Sequence, residues 1–249
     1  MGTWSVSTSG LNYIMEYTNG FKRSIRKNQV TKSNTSLGEE YASSQSPNLV
    51  LAYINALIQN YSFSAKFSAV SSLDLTSCFL DSNGNDCATL INWGDGTIDS
   101  NLTHTYLASG DYVVSVACED AIEIFLKSRN ITEFYIALPI GLQSLELGHN
   151  QIVDFNPSIA LPIGLQNLDL GSNQIVDFNP SIALPIGLQS LGLGSNQMTI
   201  AGYTASETWA NAQPSFTSSC HVYFNDNIDS VSGTDLETIL ISKNCTVIV

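Results

Sequence analysis

The chain has 249 residues, of which 12% are charged, and its nine basic residues against 22 acidic ones give a formal net charge of −13. Globular chains average about 25% charged residues, so this surface must be built from Ser, Thr, Asn and Gln, as suits an extracellular or particle-borne protein. The acidic body argues against nucleic-acid binding, and no apolar run reaches the roughly 18 residues that a membrane span requires.

The charge is unevenly spread. Residues 1–32 carry Lys22, Arg23, Arg26, Lys27 and Lys32 against Glu16 alone, for +4, whereas the rest of the chain carries −17. The opening MGTWSVSTSGLNYIMEY has neither the cationic start nor the apolar centre of a secretory leader. Met1-Gly2 is discounted as a lipidation signal, because Val6 stands where Ser or Thr is wanted. Residues 1–48 show no sustained period: TWSVSTS reads as a lone strand and SNTSLGEEYASSQSPN as a linker. The basic cluster suits either a solvated arm or an anchor docking on an acidic protein surface. Next, Leu49, Val50, Tyr53, Ile54, Leu57 and Ile58 fall on one face of a helix, with Pro47 in its first turn.

Residues 62–118 alternate apolar and polar runs between turn signals, which predicts a small antiparallel sandwich. In INWGDGTIDSNLTHTYLASGDYVVSVAC, the run Gly94-Asp95-Gly96 demands positive φ. Trp93 should fill the core, and Tyr112, Val114 and Val116 should line one strand face. Trp93-Gly94-Asp95-Gly96-Thr97, His104-Thr105-Tyr106 and Gly110-Asp111-Tyr112-Val113-Val114 together resemble the signature of the PKD-type immunoglobulin-like domain. Asp95 and His104 then read as a turn carboxylate and a buttress of the sandwich, not as catalysts or metal ligands.

Beyond this lies a period of 23 residues. Residues 136–158 read IALPIGLQSLELGHNQIVDFNPS, residues 159–181 IALPIGLQNLDLGSNQIVDFNPS, and residues 182–197 IALPIGLQSLGLGSNQ. A unit of this size cannot bury its own apolar face and must stack on a neighbour. Leu145 and Leu147 should face inward from a short parallel strand, with Ile152 and Phe155 closing the far side. Asn150, Asn173 and Asn196 should form a column satisfying the backbone of the turns. Pro139, Pro162 and Pro185 exclude helix from the return segments.

The order Leu142-x-x-Leu145-x-Leu147-x-x-Asn150, repeated from Leu165 and Leu188, resembles the leucine-rich repeat. The resemblance implies a solenoid presenting a concave strand face for binding. Degenerate rungs flank the clear ones: Ala121, Ile124, Leu126, Ile131 and Phe134 upstream, with Arg129 in place of the asparagine, and Val222, Phe224 and Asn227 downstream. Between them TASETWANAQ predicts a short helix. Thr234 to Ile241 predicts a capping helix with Thr234 and Glu237 as its box, followed by a strand at 246–249.

The copies differ at few positions. Ser144, Asn167 and Ser190 occupy one, Glu146, Asp169 and Gly192 the next, and His149, Ser172 and Ser195 the third. The first two interleave with the inward leucines and the third follows the strand. Ser144, Glu146, His149, Asn167, Asp169, Ser172, Ser190 and Ser195 are therefore the candidate binding residues, although drift after a recent duplication would give the same pattern. Five cysteines cannot all pair; Cys220 with Cys245 and Cys78 with Cys87 are the conceivable disulfides.

Taken together, the expected fold is mainly β. An N-terminal arm and helix (1–61) precede an immunoglobulin-like or PKD-like β-sandwich (62–118) and a short leucine-rich-repeat solenoid with a C-terminal cap (119–249). No nucleophile elbow, phosphate loop or metal-ligand spacing points to an enzyme, a metal or a cofactor. The resemblances imply a structural or display protein of an extracellular particle such as a phage virion. Residues 1–60 would dock on a capsid, tail or other subunit of an oligomeric assembly, and the repeats would face a host protein or glycan. The alternative is a secreted or cell-surface bacterial adhesin.

Overall fold

The structure, a computed structural model, describes the strands at 4–9, 12–17 and 22–26, and then residues 63–135, 138–155 and 161–249. The helix expected at 49–58, the linker before it, and Lys27 and Lys32 lie outside the described residues. What is described is mainly β, with antiparallel and mixed sheets and two helices. Among the described residues no helix is long and apolar enough to cross a membrane.

At the N-terminus, β1 (Trp4–Ser9), β2 (Asn12–Tyr17) and β3 (Lys22–Arg26) form an antiparallel meander. TWSVSTS is thus not a lone strand: Ser9 pairs with Asn12, and Glu16 with Lys22. The missed signals in the sequence are Gly10, which favours a two-residue connection, and Asn19-Gly20, a dipeptide preferred in hairpin turns.

The second sheet runs β10-β4-β8-β6-β7, antiparallel throughout, from β4 (Phe63–Asp74), β6 (Leu90–Asn92), β7 (Ile98–Asp99), β8 (Thr103–Ala117) and β10 (Ile131–Tyr135). Its alternation is that of a sheet with one buried face: Phe63, Ala65 and Phe67 are buried and face Val114 and Val116 across the β4–β8 ladder. The remaining strand of this segment, β5 (Phe79–Leu80), leaves for the third sheet. Residues 62–118 therefore do not divide into two antiparallel sheets of their own.

The third sheet has the order β15-β14-β13-β12-β11-β9-β5. Each repeat supplies one three-residue strand: β9 (Glu123–Phe125), β11 (Ser144–Glu146), β12 (Asn167–Asp169) and β13 (Ser190–Gly192). β14 (Cys220–Tyr223) and β15 (Cys245–Ile248) follow. All of these neighbours are parallel, and the 23-residue period sets the register, with Leu145 opposite Leu168 and Leu168 opposite Leu191. β5 adds antiparallel to β9 and covers the edge that a parallel stack would leave open. In exchange, the first rung sends β10 to the edge of the antiparallel sheet. This reciprocal loan joins the two sheets around one continuous core.

An aromatic file runs through that core. Phe79 meets Phe63, then Phe134, Phe155, Phe178 and finally Trp209, with centroid separations of 4.8 to 6.4 Å. Phe155 and Phe178 recur once per unit, and Trp209 comes from α1 (Ile200–Ala212), the helix foreseen in TASETWANAQ. Gly202 lies against the Val176 carbonyl, where a Cβ would collide with it. The return segments that begin at Pro139, Pro162 and Pro185 are tight turns, each closed by a bond from the N–H three residues on to the proline carbonyl. The C-terminal helix α2 (Asp235–Ser242) starts as its capping box requires. Thr234 Oγ1 accepts from Glu237 N, while the Glu237 carboxylate takes the Gly233 N–H in place of the cap's own.

The asparagine column binds successive rungs together. Asn150 Nδ2 donates to the carbonyls of Leu126 and Leu147, both at 2.8 Å, and its Oδ1 accepts from Arg129 N and Ile131 N at 3.0 Å. Asn173 and Asn196 repeat the arrangement one and two units on, and Asn227 extends it. Each residue just before the column has positive φ: His149 at 56°, Ser172 at 54°, Ser195 at 53° and Asp226 at 59°.

All five cysteines are free thiols. Cys220 and Cys245 are register partners on β14 and β15. The hydrogen bond between them, together with burial, pushes the Cys220 thiol far above its ordinary range.

An Asn173→Ala substitution should leave the Ile152 N–H unpaired in the core and cost about 2 kcal/mol. Ser172→Gly, at the left-handed position of the same turn, should instead be neutral or stabilising by up to about 1 kcal/mol. Urea unfolding midpoints distinguish the two.

Candidate binding groove

The open face of the parallel sheet is organised in columns, because side chains directly opposite one another in a parallel ladder lie about 4.8 Å apart. One column reads Glu123, Ser144, Asn167, Ser190, His221 and Thr246. The next reads Phe125, Glu146, Asp169, Gly192, Tyr223 and Ile248. Between them and the asparagine turns stand Gly148, Gly171 and Gly194, preceding Asn225. A Cβ on Gly194 would lie 2.9 Å from the Asn225 carbonyl, so the chain approaches its neighbour too closely for a side chain.

A groove of about 410 Å³ follows from this layout. Gly171, Gly192 and Gly194 make its floor, Asp169 and Glu146 one wall, and Tyr223 with Asn225 the other. Seven of the eight residues expected to face a ligand line it: Glu146, His149, Asn167, Asp169, Ser172, Ser190 and Ser195. The exception is Ser144, expected on the open face but only 6% exposed. It stands in register between Glu123 and Asn167. Of the expected anchoring residues, Lys22, Arg23 and Arg26 are on β3, opposite Glu16, Met15 and Asn12.

Three lining or bracing residues were missed from sequence: Lys127, Tyr223 and Asn225. Tyr223 was legible, since it interleaves with Val222 and Phe224 as Asp169 does with its leucines. Lys127 was not, because its partners lie one and two rungs away. Its Nζ is 2.9 Å from Glu146 Oε2 and 2.9 Å from Asp169 Oδ2, bridging carboxylates that would otherwise repel in direct register. Bonds to Asp169 and then Glu146 raise the lysine above its ordinary range. Asp169 Oδ1 accepts from Gly171 N at 2.9 Å, so both of its oxygens are engaged.

Asp95, in the turn between β6 and β7, and His104, on β8, form a further titratable pair beside the antiparallel sheet. His104 Nε2 lies 2.9 Å from Asp95 Oδ2; the ring stacks on Trp93 and meets Tyr106 edge-on. Tyr106 Oη donates to the Trp93 carbonyl at 3.0 Å, and Trp93 Nε1 to Asp99 at 3.1 Å. Gly94 and Gly96 have φ of 87° and 102°, as the turn demanded. Partial burial disfavours the Asp95 anion, but the Thr97 N–H and His104 outweigh it and hold the carboxyl below its usual range. Among the described residues no group of three or more His, Cys, Asp or Glu side chains is placed to hold a metal ion.

Compared with protein-family models, with curated proteins and with solved structures, the chain has no match.

Two outcomes test these contacts. Lys127→Ala should lower stability by up to about 1 kcal/mol, an effect that molar salt erases, because the bridge is partly exposed. Asp95 is lowered on folding, so its contribution is present above the ordinary carboxylate pKa and is lost as pH falls through the folded value. Asp95→Asn should therefore flatten the acid limb of the stability profile below about pH 4, read as the change in thermal midpoint with pH.

Proposed function

We propose that this chain is a non-enzymatic structural and display protein of an extracellular particle of the bacteriophage-virion kind. In this reading the parallel stack is a leucine-rich-repeat solenoid. The segment around Trp93, Asp95 and His104 is a PKD-like, immunoglobulin-like spacer, and residues 1–60 are the anchor on a capsid, tail or other subunit. The groove faces outward, toward a protein or glycan of the host surface.

One observation carries the proposal: the positions that vary among otherwise copied units, the buried Ser144 apart, line an open groove, while the leucines, phenylalanines and asparagines beneath them are unchanged. A surface under selection for contact varies where it meets its ligand and holds its scaffold constant. The rigidity of the floor supports the same reading. Glycines in close approach and an asparagine column fix the wall residues to the backbone, which reduces the ordering cost of binding. Charge supports the anchor: a +4 front segment complements the −17 body of another copy or of an acidic particle subunit.

The test is deletion of residues 1–60. The remaining chain should still unfold in one cooperative transition, yet disappear from purified particles as read by mass spectrometry. Normal incorporation of the truncated chain would overturn the anchoring role. Finding the full chain on bacterial envelopes and never on particles would replace the virion reading with the adhesin.

A further inference from the structure

The carboxylate column of the open face is interrupted once. Glu146 and Asp169 are followed in register by Gly192 and then by Tyr223. A Cβ on Gly192 would lie 2.7 Å from Asp169 Oδ1, so the aspartate carboxylate leans over the glycine. The next side chain in the column, Tyr223, stands two strands from Asp169, about 9.6 Å away along the ladder. His221 lies beside Tyr223 on β14, with ring centroids 6.5 Å apart and planes inclined by 27°, so the two rings form one aromatic shelf. The groove is thus closed on one side by a carboxylate, on the other by an aromatic face, and below by backbone.

Resting on the display reading above, we propose that this gap is a subsite for a neutral carbohydrate residue. One face of the sugar ring lies on Tyr223, and its hydroxyls reach Asp169, Asn225 and Ser190.

The chemistry of the lining selects this class over the alternatives. The lining of the groove has no lysine or arginine and a single imidazole, His149, and Glu146 and Asp169 would repel a sialic acid, sulfate or phosphate. A cationic side chain is also disfavoured. Lys127 already bridges both carboxylates, and the second oxygen of Asp169 takes the Gly171 N–H. What remains is one aromatic face, a carboxylate with spare lone pairs, and neutral amide and hydroxyl groups, a set matched to a ligand that is apolar on one face and hydroxylated at its edges. A purely apolar ligand would leave those groups unpaired.

The full chain should be tested on an array of oligosaccharides ending in neutral hexoses and N-acetylhexosamines, alongside sialylated and sulfated ones, with titration calorimetry of any neutral binder. The expected result is binding of neutral termini only. Tyr223→Ala should weaken it about tenfold, the size of one lost ring contact, and Tyr223→Phe should retain it. Gly192→Asp, which fills the gap from the middle strand, should abolish it and, because the new carboxylate crowds Asp169 in register, should also lower the urea midpoint; Asn225→Ala, free of that crowding, should weaken binding severalfold with the midpoint unchanged. Preference for acidic termini, or neutral binding indifferent to both Tyr223→Ala and Gly192→Asp, would overturn the proposal. If no sugar binds but host-cell adherence is lost in Gly192→Asp, the sugar is wrong and the display groove stands. If neither sugars nor cells are bound, both readings fall.

Discussion

The structure depends on a recurring side-chain amide. Once per unit the chain must leave a three-residue strand and turn, and the turn leaves backbone groups facing the core, where an unpaired donor or acceptor costs about 1–3 kcal/mol. Asn150, Asn173, Asn196 and Asn227 meet that demand, each bonding to backbone of its own rung and of the one before. Because every amide spans two units, no rung is satisfied alone. Stacking and polar satisfaction are therefore one constraint.

That constraint also shapes the surface. For the asparagine to point inward, the preceding residue adopts a left-handed conformation, and the residue before that lies against the next rung's backbone. Hence the Gly-His-Asn and Gly-Ser-Asn sequences, and hence a floor of glycines on the open face. The groove is a by-product of the turn, and its walls are the residues free of any packing duty. Lys127 completes it from an unrelated rung by holding together two carboxylates that register forces into proximity. The ends of the stack are handled separately: β5 closes one edge, α2 and β15 the other, and the aromatic file from Phe79 to Trp209 ties the closed end to the helix on the return side.

Copying in the sequence did not map simply onto burial. Ile140 and Ile163 are identical in their units and yet 89% and 81% exposed, while Ser144, at a position that varies, is buried. Identity among the copies thus records a recent duplication as well as packing. Strand alternation set two of the three varying columns on the open side and the turn conformation set the third beside them, so that all the varying side chains but the buried Ser144 line the groove.

The sequence alone determined whatever is local or periodic. The 23-residue frame set the parallel register, the proline turns and the asparagine column. Thr234 with Glu237 set the helix start, and Gly94-Asp95-Gly96 set the turn beside Trp93. Only tertiary structure decided the rest, because it depends on partners far apart in the chain. The exchange of β5 and β10 between sheets and the bridge from Lys127 to carboxylates 19 and 42 residues on both arise from stacking. No window of sequence contains both halves of such a contact, and so none of them could be read before the chain was folded.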